Sequence, residues 1–205
     1  MHLELLEKLI VQSEAHETEQ CFTMTGVSWE QYEALLDDIG DDFPGLHITY
    51  LEGTLEIMSP SRRYESNKTN IGLLLEAYFQ ETRIRFYGLG STTFRKKAKA
   101  RGAEPNECYC IETEKESLDI AIEVVKTSGG INKLEVYQGL EVPEVWFWKN
   151  DRFSVYRLRD SQYEQVLRSE FLPNLDLDVL ASFVVQPEPL DAVLDFREAI
   201  RAKRS

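Results

Sequence analysis

Residues 118–125 read Leu118-Asp119-Ile120-Ala121-Ile122-Glu123-Val124-Val125, the clearest strand signal in the chain. A run this nearly apolar suits a central strand covered on both faces. Glu123 interrupts it. A buried carboxylate needs a partner, a metal ion or a proton, so the segment marks both the middle of the fold and the first candidate for chemistry. Downstream, Thr127-Ser128-Gly129-Gly130 turns the chain into a helix expected over 131–139, and Val142-Pro143 introduces a strand over 144–148. Asn150-Asp151 then turns into a strand over 153–158, with one more short strand over 163–167 and loop and helix after Pro173.

Upstream, Cys108-Tyr109-Cys110-Ile111 is apolar and β-prone, preceded by Glu104-Pro105-Asn106-Glu107 and followed by a charged loop. Residues 1–20 carry leucines near helical spacing. Ser28 is a good N-cap for a helix through Leu36, which Gly40 would stop. Leu46 to Met58 reads as a hairpin turning at Glu52-Gly53, where glycine supplies the positive φ. The apolar stripe of Ile71, Leu74, Leu75, Tyr78 and Phe79 predicts a helix over 62–81. Strands are expected over 84–87 and 92–99.

A chain of 205 residues fits one domain able to bury a core without staples. It has no apolar run long enough to span a bilayer, and Met1 to Ile10 lacks the basic start of a signal peptide. The three cysteines, Cys21, Cys108 and Cys110, have no framework spacing. Reduced thiols in a cytoplasmic protein are expected, with Cys108 and Cys110 as small buried hydrophobes rather than half a zinc site. A formal net charge of −13 disfavours nucleic-acid binding through the whole surface. Against that background Arg95, Lys96, Lys97, Lys99 and Arg101 form a basic cluster, readable as a solvated turn or as a phosphate-tracking patch.

A metal-dependent phosphodiesterase needs carboxylates that converge on a divalent cation and a lysine that orients water or stabilises charge. The usual device puts an acid on one strand and Glu-x-Lys on the next, since an i, i+2 spacing shares a sheet face. Here the i+2 position after Glu123 is Val125, and Lys126 falls on the opposite face. Lys133, in the following helix, could reach back to do the same electrostatic work. Asp119 shares a face with Glu123 but lies about 13 Å along the strand, too far to share one ion. Upstream, Pro105-Asn106 stands where Pro-Asp is wanted: asparagine offers a carbonyl oxygen and no charge. Glu52 and Glu65 are further candidate acids.

Four blocks resemble the Uma2 family, which is abundant in cyanobacteria and belongs to the PD-(D/E)XK nuclease-like superfamily. They are Trp29-Glu30-Gln31-Tyr32, YLEGTLEIMSPS (50–61), EPNECYCI (104–111) and DIAIEVVKTSGGINKLEVYQGLEVPEVWFW (119–148). The last is long and specific. The resemblance implies a restriction-endonuclease-like α/β fold, a mixed β-sheet flanked by helices with an N-terminal helical and hairpin elaboration. It implies a single domain over 1–205, with the family core over 25–160 and a C-terminal extension over 170–205. It places Asn106 at the Asp of the first motif half, Glu123 at the acid of the second, and Lys133 at a helix lysine replacing the motif lysine.

The expected function is therefore Mg2+- or Mn2+-dependent endonucleolytic hydrolysis of DNA. Glu123, Lys133 and Glu52 are its catalytic candidates, and Glu123 and Asn106 its metal ligands. The alternative is an inactive nucleic-acid-binding or protein-interaction protein on the same fold, motivated by Asn106, by the missing Glu-x-Lys and by the net charge. A homodimer would suit cleavage of both strands of a duplex.

Overall fold

Local signals become element boundaries in the computed structural model, which describes residues 19–40, 45–90, 92–125 and 130–204. The helix expected over 1–20 lies outside the described residues up to 18, and Gln20 already belongs to strand β1 (Gln20–Thr25). Ser28 caps α1 (Trp29–Ile39) through a reciprocal box. Its hydroxyl accepts from the Gln31 amide at 3.2 Å, while the Gln31 side chain accepts from the Ser28 amide at 2.8 Å. Gly40, at φ 47°, ends the helix. The hairpin forms as β2 (His47–Leu51) and β3 (Thr54–Ser59). Glu52 and Gly53 turn it with φ of 45° and 88°.

The described residues fall into two compact units. The first takes those up to Glu65 together with 92–104 and 130–141. Its sheet has the order β1-β3-β2-β6-β5, where β5 is Phe94–Lys96 and β6 is Arg101–Ala103. The strand expected over 92–99 is thus only β5, followed by a 3-10 turn over Lys97–Lys99, and β6 is an addition that the sequence reading missed. Helix α3 (Lys133–Leu140) packs on β6, β5 and β2. Under α1, the Tyr32 ring stacks on Tyr50 with centroids 4.8 Å apart, and Trp29 meets both edge-on. The Tyr50 hydroxyl donates to the Val27 carbonyl at 2.9 Å. Tyr32 is fully buried against Gly102, where an added Cβ would stand 2.1 Å from the phenol oxygen.

The second unit takes residues 66–90, 105–125 and 142–204. Its sheet is mixed, as expected: β11 (Gln162–Val166), β10 (Arg152–Arg159), β9 (Glu144–Lys149), β8 (Ile120–Val124), β7 (Glu107–Ile111) and β4 (Phe86–Gly88), in that order. Strands β8 and β9 are parallel and the other neighbours antiparallel. All five residues of β8 are buried, which is why its sequence is apolar throughout. Trp146 and Trp148 on β9 are core residues. Glu144 is fully buried because donors surround it: the Trp146 indole at 2.9 Å, the Ser169 hydroxyl at 2.7 Å and the Glu170 amide at 2.6 Å. Cys108 and Cys110 are buried too, and burial pushes the Cys108 thiol up to about 12.

Helix α2 (Arg62–Thr82) is followed later in the chain by α4 (Leu177–Val184) and α5 (Pro189–Arg204). The Asn70 side-chain amide donates to the Val184 carbonyl at 3.1 Å, tying α2 to α4. Arg197 and Arg201 of α5 clasp Glu81 of α2 at 2.9 and 2.6 Å. Among the described residues no helix is long and apolar enough to cross a membrane.

Gly102→Ala should destabilise the protein by about 1–3 kcal/mol, since the immobile Tyr32 ring turns the extra methyl into overpacking; urea unfolding measures it. The Arg201 and Arg197 guanidiniums hold the Glu81 carboxyl down at about 2, against an ordinary 4.5. A depressed acid stabilises the fold above its unfolded value and loses that contribution as pH falls through its folded one. The stability gap between wild type and Glu81→Gln should be constant above pH 4.5 and close on acidification towards about 2.

Candidate active site

Asn106 and Glu123 lie in the second unit, at the end of the β7–β8 pair. The register runs Tyr109 opposite Ile120, Cys108 opposite Ala121 and Glu107 opposite Ile122. Asn106 comes immediately before the last registered residue of β7, and Glu123 immediately after its partner on β8. There the ladder changes partner type. The Asn106 amide donates to the Ile122 carbonyl at 3.0 Å, but the Val124 amide donates to the Asn106 side-chain oxygen, Oδ1, at 2.6 Å. Asn106 is 1% exposed and Glu123 3%.

This bond fixes which way the Asn106 amide faces. Only Oδ1 can receive an N–H, so the NH2 edge is left over. Asn106 Nδ2 is buried with no hydrogen-bond partner among the described residues. Of the two expected ligands, Glu123 brings a carboxylate and Asn106 only a carbonyl oxygen, which already accepts from the Val124 amide. Mg2+ and Mn2+ take oxygen ligands and draw most of their affinity from carboxylates. Among the described residues, no group of three or more His, Cys, Asp or Glu side chains is placed to hold a metal ion. Among the described residues, those present do not fit the expected cation.

Asp119 has a different job. The Lys115 ammonium, at 2.6 and 2.8 Å, and the Ile111 amide, at 2.8 Å, engage its carboxylate and close the 112–117 loop. Lys126 lies outside the described residues.

Lys133 and Glu52 lie in the first unit. Lys133 is the first residue of α3, behind the N-cap Asn132, whose side chain accepts from the Leu134 amide at 3.1 Å. Its ammonium donates to the Thr49 hydroxyl on β2 at 2.6 Å. Glu52 is 69% exposed at the hairpin turn and takes the Arg101 guanidinium at 2.9 Å. Glu65 lies 3.7 Å from the His47 imidazole.

The basic cluster is largely matched by acids within this unit. Lys96 pairs with Glu141 at 2.6 Å, Lys97 with Glu30 at 3.3 Å, and Arg101 with Glu52. Arg101 also donates to the carbonyls of Lys99, Ala100 and Glu135, so it binds the 3-10 turn to α3 rather than facing solvent. The solvated-turn reading describes these three residues better than a phosphate-tracking patch does.

The sequence reading passed over Glu56, a 5%-exposed acid on β3. Its Oε2 accepts from the Gly130 amide at 2.7 Å and the Ile131 amide at 3.2 Å. The available signal was the one that marked Glu123: an acid inside an apolar strand, here Leu55-Glu56-Ile57.

The mixed sheet with its buried central strand and flanking helices is that of a restriction-endonuclease-like α/β protein. The Uma2 family model, described as "putative restriction endonuclease", matches residues 29–188, and the chain belongs to that family. A search of curated proteins finds no match.

Asn106→Ala leaves the Val124 amide without its acceptor in a dry strand pair. It should destabilise the protein by about 1–3 kcal/mol in urea unfolding.

Proposed function

We propose that this chain engages DNA phosphodiesters on an endonuclease scaffold from which cation-dependent cleavage has lapsed. Family membership supports the substrate class. The observation that carries the loss of cleavage is the bond from the Val124 amide to Asn106 Oδ1, which engages the oxygen of an uncharged amide at the position where a second carboxylate is wanted. In this reading Lys133 keeps the part of its role that needs no metal, a positive charge for a phosphate oxygen. With a net charge of −13, binding is expected to be weak and steeply salt-dependent.

A second reading keeps Glu123 and Lys133 as catalytic residues of a working Mg2+- or Mn2+-dependent endonuclease. The retained buried acid at position 123 favours it.

Supercoiled plasmid incubated with Mn2+, together with filter retention of labelled duplex at low salt, separates the two. Wild type should retain duplex without nicking plasmid. Asn106→Asp should gain Mn2+-dependent nicking, and the added Glu123→Ala should abolish it. Lys133→Met should lower the slope of log affinity against log salt by about one. Nicking by wild type that Glu123→Ala removes would establish the second reading. Failure both to retain DNA at low salt and to nick it would overturn both.

A further inference from the structure

Strands β1, β3 and β2 lie side by side in the first sheet. Thr23 is registered opposite Glu56, and Glu56 opposite Thr49. Directly opposed residues share a sheet face, so the three form one row across three strands, with Cys21 two residues along β1 on the same face. Residues 130–133 lie over that row. An added Cβ at Gly130 would stand 2.7 Å from Thr23 Oγ1, so glycine lets the backbone touch the first strand. The Gly130 and Ile131 amides bind Glu56 on the second strand. The Lys133 ammonium binds Thr49 on the third.

Glu56 is the middle of this seat and its only charged strand residue. Two backbone donors on one carboxylate oxygen make charge-assisted bonds, roughly twice as strong as neutral ones. They fix the turn immediately before α3. The Cys21 thiol lies two residues from Thr23 on β1, along the row that holds this carboxylate. Burial first, and then the Glu56 charge, pushes that thiol up to about 11, with Lys133 acting in the opposite direction. The cysteine is therefore a protonated neighbour of the acid.

We infer that Glu56 is the positioning residue for Lys133: it fastens the 130–131 turn to β3 and thereby sets where the lysine charge is offered. The inference rests on the reading of Lys133 as a phosphate contact, but the clamp itself is tested without DNA. Glu56→Gln keeps the shape and removes the charge. Amide exchange at Gly130 and Ile131 should quicken by about tenfold or more, relative to amides of β8, on losing charge-assisted bonds. The Lys133 side chain should gain mobility in 13C relaxation.

In filter retention, Glu56→Gln should weaken DNA binding about as much as Lys133→Met, and the double variant should be no weaker than either. A general structural role would instead give additive losses. Glu56→Asp keeps a charged acceptor one methylene shorter. It should show the same pattern in weaker form, and it stands in if Glu56→Gln does not fold. Unchanged exchange at both amides, unchanged Lys133 mobility, or additive losses would overturn the inference. A wild type that retains no DNA, with the exchange and mobility changes still present in Glu56→Gln, would sink the phosphate role and leave the clamp standing.

Discussion

An acid inside a sheet has to be met by donors, and that requirement organises much of this chain. Glu144 gathers an indole, a hydroxyl and a backbone amide. Asp119 gathers a lysine and a backbone amide, closing the loop between β7 and β8. Glu56 gathers two amides and fastens the turn before α3. Each replaces lost hydration with fixed donors, which makes burial of a charge tolerable. Glu144 and Glu56 also couple a strand to a segment distant in sequence. The loops between strands take their paths from these carboxylates as much as from apolar packing.

The sequence revealed whatever is decided locally. The cap at Ser28, the stop at Gly40, the turn at Glu52-Gly53 and the buried strand around Glu123 each depend on a few adjacent residues. Strand β6 was missed because Arg101-Gly102-Ala103 has no β-prone residue; Gly102 is there to accept the Tyr32 ring, a contact from 70 positions away. The partition of strands into two sheets was equally hidden, since pairing between non-consecutive strands leaves no mark on either one alone. The basic cluster stayed open between two readings for the same reason. Its acids, Glu30, Glu52 and Glu141, are scattered over the sequence and meet it only in the fold.

The candidate site was half legible. Residue types at 106, 123 and 133 could be read, but not which atom of Asn106 faces which neighbour. That is settled by the Val124 amide, a group with no side-chain identity. Glu56 was overlooked and Glu52 preferred because a turn position invites attention. Burial, which separates a 69%-exposed ion-pair partner from a 5%-exposed clamp, is a property of the fold.

Asparagine and aspartate have nearly the same shape, so the departure at position 106 changes charge without changing packing. An aspartate there could still accept the Val124 amide with one oxygen, but it would bring a negative charge into a dry strand pair, where a buried charge is costly without a partner, a cation or a proton. The asparagine keeps the acceptor and carries no charge, so the bond to the Val124 amide is made without any of these. The strand pair at position 106 therefore needs no ion to hold its geometry, which is the physical ground on which a lapse of cleavage on an intact scaffold is proposed.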